Sequence, residues 1–319
     1  MEADLLAAVY AAPEDDAPRF VYADYLQERG DPRGQFIALQ LAGKDVERQA
    51  ALIAEHGPSW IGDLPIAPHS VRWERGFIGE GAPRPGADPS DPRWRTLHAL
   101  TGAALLSDTA PLPALRKLVV DNHGMHHLGT LRRPLPVETL AWDSRVDHGM
   151  AGVRLSDVTV LRRLRRFESL DDHDVPLRTQ TEDARRLFSW RCMAAIEEVA
   201  LYGDLASAHD WLDLAGLRSG PLRRLELAEP GPFGWRLALA RAGAGPWSAL
   251  EIIAPFEPPQ AWLRASHRPF GEALFAGLAA FAPTQFTTAR VTAPPSLLAP
   301  IERALARQIR LVELVRVPR

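Results

Sequence analysis

A chain of 319 residues with 46% hydrophobic content is long enough for two cores, and no apolar run approaches the ~20 residues of a membrane span. Its 37 Lys and Arg are offset by 40 Asp and Glu, a net charge of −3, which argues against the basic surplus of a general nucleic-acid binder. The single cysteine, Cys192, excludes a disulfide framework, and its setting in the apolar stretch 188–201 predicts a buried structural thiol in a reducing interior. The N-terminus is acidic and lacks a basic n-region, so it does not read as a secretory signal, and a cytoplasmic protein with no membrane partner is expected.

Residues 1–62 are helical in texture. Leu5, Leu6, Val9 and Tyr10 share one face of a first helix. Asp16 is the expected N-cap of a second, which carries Phe20, Val21, Ala23, Tyr25 and Leu26 and stops at Gly30. Asp31-Pro32 opens a third as cap and first-turn proline, with Phe36, Ile37, Leu39 and Leu41. A fourth, with Val46, Ala50, Leu52 and Ile53, is expected to end at Gly57-Pro58. Next, Val71, Trp73, Phe77 and Ile78 have strand character around a turn at Arg75-Gly76, and residues 82–92 read as a loop.

From there one pattern recurs: apolar, two variable, apolar, one variable, apolar. It starts at Leu115, Val137, Leu164, Ile196, Leu222, Trp247, a doubtful copy at Pro283, and Ile309. Offsets run from 22 to 36 residues and mostly bracket the period of leucine-rich repeats. A short strand with alternating apolar residues cannot bury its inner face alone, so a returning segment must pack behind it. The stretches 207–220, 233–246 and 270–283 suit that role as helices or helical turns. Trp142, Trp190, Trp211, Trp235, Trp247 and Trp262 fall at packing positions, whereas Trp60 and Trp94 flank the loop and are expected to be partly exposed.

The opening residues resemble the bacterial repeat-companion domain, a small helical module found beside repeat arrays. The resemblance rests on Asp16, Pro18, Arg19, Tyr22, Ala23, Asp24, Leu26, Glu28, Arg29, Gly30, Asp31, Gly34, Phe36, Ile37 and Gln40, and Trp73–Phe77 looks like the strand that commonly opens such arrays. It implies an α/β protein: a leucine-rich-repeat-like solenoid with a parallel sheet, capped by a small N-terminal helical domain. The helical domain would span 1–62 and the irregular solenoid 63–319. The repeats lack the usual asparagine and differ in length, which argues against a regular horseshoe. The resemblance carries no catalytic residues. Tyr22, Asp24, Arg19 and Asp31 read as structural, with Arg19 and Asp24 a possible pair. A rival reading makes Tyr22, Tyr25 and Gln35 a docking surface.

Two constellations merit weighing. Asp121, His123, His126 and His127, then Asp143 and His148, then Asp171, Asp172, His173 and Asp174 follow three consecutive strands at similar offsets. Stacking would gather these zinc-type ligands along one rim, but the spacing matches no metal motif, so polar rim loops are the expectation and no cofactor is assigned. The second is the open sheet face. One row holds Lys117, Thr139, Arg166, Glu198, Arg224 and Ala249; the other holds Glu168, Glu226, Glu251 and Glu313 with Val119, Ala141 and Ala200. Only one row is expected to be fully presented, as a mildly acidic stripe. Glu168, Glu226 and Glu251, with Arg166 and Arg224 beside them, are the candidate partner-binding residues.

There is no phosphate loop, no Gly-x-Ser-x-Gly elbow, and no base evident beside the cysteine. The reading is a non-enzymatic protein-interaction scaffold with a protein partner. Its alternatives are a metal-dependent or metal-stabilised protein using the His/Asp rim, and a regulatory partner or substrate of a bacterial defence or protease system.

Overall fold

In a computed structural model, four helices open the chain: α1 (Glu2–Ala11), α2 (Ala17–Glu28), α3 (Pro32–Ala42) and α4 (Val46–Ile61). The residues described are 1–143, 158–170, 195–202, 221–228, 236–243, 247–253, 287–295, 298, 301–302, 305, 309 and 311–316. Two compact units are present, residues 1–140 with 158–163 and residues 141–157 with 164–319. The helical stretch 1–62 lies wholly in the first. The class is α/β, with mostly parallel strand pairing and helices at the N-terminus. No described helix is long and apolar enough to cross a membrane.

Local chemistry sets the helix boundaries, with three departures from expectation. The start of α2 is held by Asp15, whose Oδ1 accepts from the Ala17 N–H at 2.9 Å, while Asp16 makes no cap bond. Asp31 caps α3 by accepting from the Arg33 N–H at 2.8 Å. Helix α4 does not stop at Gly57-Pro58 but continues to Ile61. The extra turn places Trp60 stacked on Phe36 at 5.0 Å and edge-on to Trp73 at 5.7 Å, and that aromatic burial compensates for the amide that proline lacks. Arg19 does not pair with Asp24; it is buried and donates to the Asp15 carbonyl at 2.9 Å.

Strands β1 (Arg72–Glu74) and β2 (Phe77–Gly81) form the expected antiparallel hairpin around Arg75-Gly76. Both turn residues have positive φ, 49° and 84°, as a tight hairpin turn requires. The hairpin plugs into the helices. Phe77 sits 6.1 Å from the Tyr10 ring and 6.2 Å from the Tyr22 ring, with the Arg19 and Arg33 guanidinium groups 5.4 and 5.0 Å from its centroid. Gln40 clasps the turn from α3: its Oε1 accepts from the Gly76 N–H at 2.7 Å and its Nε2 donates to the Trp73 carbonyl at 3.2 Å. A Cβ on Gly76 would land 2.1 Å from Ile37 Cγ1, so only glycine fits there. Gly34 likewise lets α3 cross α2, since a Cβ would lie 2.7 Å from the Ala23 carbonyl.

Beyond the hairpin, β3 (Ala99–Thr101) and β4 (Lys117–Val120) add in parallel. They are followed by helix α5 (Asn122–Leu128) and β5 (Thr139–Asp143). Trp94, expected to be partly exposed, is buried, and its indole N–H donates to the Asp88 carbonyl at 2.9 Å. Strand β3 is one that the apolar pattern hid, because the third position of the pattern is Gly102.

In the second unit, β6 (Arg166–Leu170), β7 (Glu198–Tyr202) and β8 (Arg224–Ala228) pair in parallel, as do β10 (Ala249–Ile253), β11 (Thr288–Ala293) and β12 (Leu311–Arg316). Between them lies β9 (Arg236–Ala240), antiparallel to both β8 and β10. This corrects the helical role expected for 233–246. The alternation Arg-Leu-Ala-Leu-Ala has a period of two that puts Leu237 and Leu239 on one face, both buried, with the small Ala238 also buried on the other. The copy expected at Pro283 is also shifted by three residues. The register pairs Leu250 with Ala289 and Ile252 with Val291, so the inward pair is Ala289 and Val291. A middle position as small as Ala289 conceals it. The returning stretches 207–220 and 270–283, Cys192, Trp190, Trp211, Trp235 and Trp262 lie outside the described residues; Trp142 and Trp247 are buried as expected.

One hydrogen-bond device recurs at strand entries. The His98 carbonyl accepts from the N–H groups of both Arg116 and Lys117 at 2.8 Å, and the Arg116 carbonyl from Glu138 and Thr139 at 2.8 and 2.9 Å. In the second unit, Arg165 receives Glu197 and Glu198, Glu197 receives Arg223 and Arg224, and Ser248 receives Thr287 and Thr288, at 2.6–3.3 Å. The same register position is used each time, so these rungs are structurally equivalent.

Two consequences are measurable. Phe77→Ala removes the ring shared by the helices and the hairpin and is expected to cost about 3–5 kcal/mol in urea unfolding. Burial pushes the Tyr22 phenol from 10.0 up to about 12. A folded-state value above the unfolded one means stability that is complete below about pH 10 and falls as the pH rises toward 12. Comparing urea midpoints at about pH 9 and about pH 11 should show a loss that Tyr22→Phe makes smaller.

Candidate functional site

On a strand, residues two apart share a face. In β6–β10 the inward residues Phe167, Val199, Leu225, Leu239 and Leu250 occupy one register line and are buried, with Ala289 continuing the line on β11. The opposite face carries two register lines: Arg166, Glu198, Arg224, Ala240, Ala249 and Thr288, then Glu168, Ala200, Glu226, Ala238, Glu251, Arg290 and Glu313. The expectation that only one row is presented is therefore corrected. The rows are two residues apart with the buried residue between them, so both lie on the same side.

They pair with each other. Arg166 Nε donates to Glu168 Oε1 at 2.8 Å, and its Nη1 to Glu198 Oε2 on the next strand at 2.5 Å. Burial alone would lower the Arg166 guanidinium, but these two bonds hold it above its ordinary value. Arg224 Nη2 lies 3.6 Å from Glu226 Oε2 and 3.6 Å from Glu251 Oε2. To meet Glu251 it reaches across β9, which contributes only Ala238 and Ala240 at the intervening positions. Alanine there leaves room for the guanidinium. Arg290 and Glu313 form a further pair at 3.3 Å between β11 and β12.

The face is thus an alternating ladder of charge. Three arginines, Arg166, Arg224 and Arg290, partly offset five glutamates, Glu168, Glu198, Glu226, Glu251 and Glu313, which leaves the face mildly acidic, as expected. Exposure varies among its members. Glu168 and Glu226 retain 13% and 15% side-chain exposure, Arg224 38%, Glu198 42%, and Arg290 and Glu313 57% and 59%. Glu168 and Glu226 are the mostly buried carboxylates, and the others meet solvent.

Among the described residues, the members of the expected histidine rim do not come together as a metal site. His123 and His126 are exposed on α5, Asp121 accepts from the Gly124 N–H at 2.8 Å as a helix cap, and His127 Nε2 lies 2.6 Å from the Leu106 carbonyl. Asp143 lies in β5, and no group of three or more His, Cys, Asp or Glu able to hold a metal occurs among the described residues. His148, Asp171, Asp172, His173 and Asp174 lie outside them. Of the rival docking residues, Tyr22 is buried against Phe77 and so is not presented, while Arg29 covers the half-buried Tyr25 ring at 4.4 Å and the exposed Gln35 accepts from Arg48.

A feature absent from the sequence reading is a groove of about 360 Å³ in the first unit, lined by Pro111, Pro113, Pro134, Pro136 and three arginines. The repeated Pro-Leu-Pro at 111–113 and 134–136, just ahead of two strand entries, was its available signal. No protein-family model, no curated protein and no solved structure matches this chain.

The ladder's two ends should respond differently to truncation. Arg166→Ala strips a mostly buried Glu168 of a charge-assisted partner and is expected to cost about 1–3 kcal/mol. Glu313→Ala breaks an exposed pair and should stay within roughly 0.5 kcal/mol of the parent. Urea midpoints of the two variants check this ordering.

Proposed function

We propose that the chain is a non-enzymatic protein-interaction scaffold. In this reading it is an irregular leucine-rich-repeat-like solenoid with a repeat-companion-like helical module, and it recognises a protein partner through the charged sheet face of its second unit. The observation that carries the proposal is the make-up of that face. Strands of a parallel sheet covered by helices on both sides are apolar on both sides. Here one side is apolar and the other is a ladder of half-exposed ion pairs. The shared strand-entry device and the register of the apolar triplets support stacked repeats. A face braced by its own cross-strand pairs presents charges at set spacings, which limits ordering cost and favours specificity over raw affinity.

Arg224, Glu251, Arg290 and Glu313 are the contact residues in this reading, with Arg166, Glu168 and Glu226 fixing the geometry beneath them. The test is affinity capture from a lysate of the source cell, with Arg224→Glu/Glu251→Arg as the comparison. That exchange keeps an opposite-charge pair while reversing its polarity. A partner held by the wild-type chain should be lost by the exchanged variant at unchanged circular dichroism, and its capture should weaken with salt. Equal capture by both proteins would reject this surface.

A further inference from the structure

The groove in the first unit is built from three successive chain segments leading toward strands: Ala110–Pro113, Arg133–Pro136, and Arg162 with Arg163. Leu112 and Leu135 are buried beneath it. The Leu135 N–H donates to the Val160 carbonyl at 2.9 Å, and Arg133 Nη1 to the Ala110 carbonyl at 3.4 Å, so the segments are tied to one another. Pro113 and Pro134 are exposed, and Pro111 and Pro136 half-buried.

Four prolines give this wall a definite character. They fix the backbone and offer no N–H, so an occupant cannot add to them as a strand. What they offer is rigid apolar ring surface at low ordering cost. The positive edges of their C–H bonds suit the negative face of an aromatic ring. The volume lies at the low end for ligand sites, enough for one or two side chains rather than a large cofactor.

The rim is cationic. Arg133, Arg162 and Arg163 are exposed, and neither Arg162 nor Arg163 has an ion-pair partner among the described residues. Asp108 spends Oδ1 on the backbone N–H groups of Arg132 and Arg133, at 2.8 and 2.9 Å, and these bonds hold its carboxyl below the usual range. Guanidinium forks favour carboxylates. Three arginines around a proline floor are too few and too apolar a setting for a polyphosphate track.

We propose that this groove binds an extended acidic peptide, with an aromatic side chain seated on the prolines and flanking carboxylates held by Arg133, Arg162 and Arg163. This site is separate from the sheet face proposed above and stands or falls independently of it.

The probe is a fluorescein-labelled Glu-Asp-Trp-Asp-Glu peptide, read by anisotropy on the full chain at low salt. Comparison arms are its amide analogue Gln-Asn-Trp-Asn-Gln, an analogue with alanine for tryptophan, and an oligo-deoxythymidine. The acidic aromatic peptide should bind, with both analogues weaker by about tenfold. Arg162→Glu/Arg163→Glu should lose a similar factor, and Arg133→Ala, a milder change, a smaller one. All sites are exposed, and circular dichroism verifies the fold. The proposal is overturned by any of four results: no binding of the acidic peptide, equal binding by the double variant, equal binding of the amide analogue, or tighter binding of the oligonucleotide.

Discussion

The constraint on which the rest depends is the carbonyl that accepts two consecutive N–H groups at a strand entry. A β-ladder slipped by one residue would exchange its two faces, moving the leucines outward and the charges inward. The paired acceptance at His98, Arg116, Arg165, Glu197 and Ser248 fixes the residue at which each next strand begins. Strands separated by unequal lengths can then align, because what is shared from strand to strand is the entry register and not the length between entries. Within the second unit, offsets as different as 26 and 32 residues are compatible with one register line for that reason.

Once the register is fixed, the charges follow. Each triplet's middle residue goes inward, so the residues on either side of it both go outward, two apart on one strand and opposite their counterparts on the next. Opposite charges then meet along the strand between lines, as Arg166 meets Glu168, or directly across strands within a line, as Arg166 meets Glu198. Cross-strand opposite charges of this kind contribute only a few tenths to about 1 kcal/mol each. Their larger effect is to leave few charges of one sign unpaired. The face gains definition at the expense of a strong field, which suits selection among partners more than long-range attraction.

Much of this was legible in the sequence, and what was not has physical causes. The hairpin, the first three helices, and the strands at Leu118, Phe167, Val199, Leu225, Leu250 and Val312 could be read from spacing alone. Strand β9 could not, because Arg-Leu-Ala-Leu-Ala beside further alanines satisfies a helical stripe as well as a strand, and its neighbours decide. The triplet at Ala289 was concealed by its small middle residue, and β3 by Gly102. The ladder's residues and its mildly acidic character were visible, but its cross-strand pairings were not, since they depend on register partners. The groove was least legible. Proline repeats mark turns, and nothing in one segment shows that three of them will line a common wall.

The N-terminal helices acquire their role from the same constraint. A first rung needs a neighbour that fixes its entry, and the His98 N–H finds it in the Gly79 carbonyl of β2 at 2.8 Å. That strand belongs to a two-stranded hairpin, a unit marginal by itself. Helices of 10 to 16 residues are equally marginal alone. Phe77 and Gln40 join two weak elements into one, the ring filling the space between Tyr10 and Tyr22 and the amide closing the turn. The outer edge is blunted by a three-residue β1 rich in charge and irregular between Arg72 and Trp73, which discourages pairing with another chain. A helical module that contributed only hydrophobic cover would not need the glutamine. Its two hydrogen bonds to the hairpin turn show that the helices position the strand from which the following register is counted.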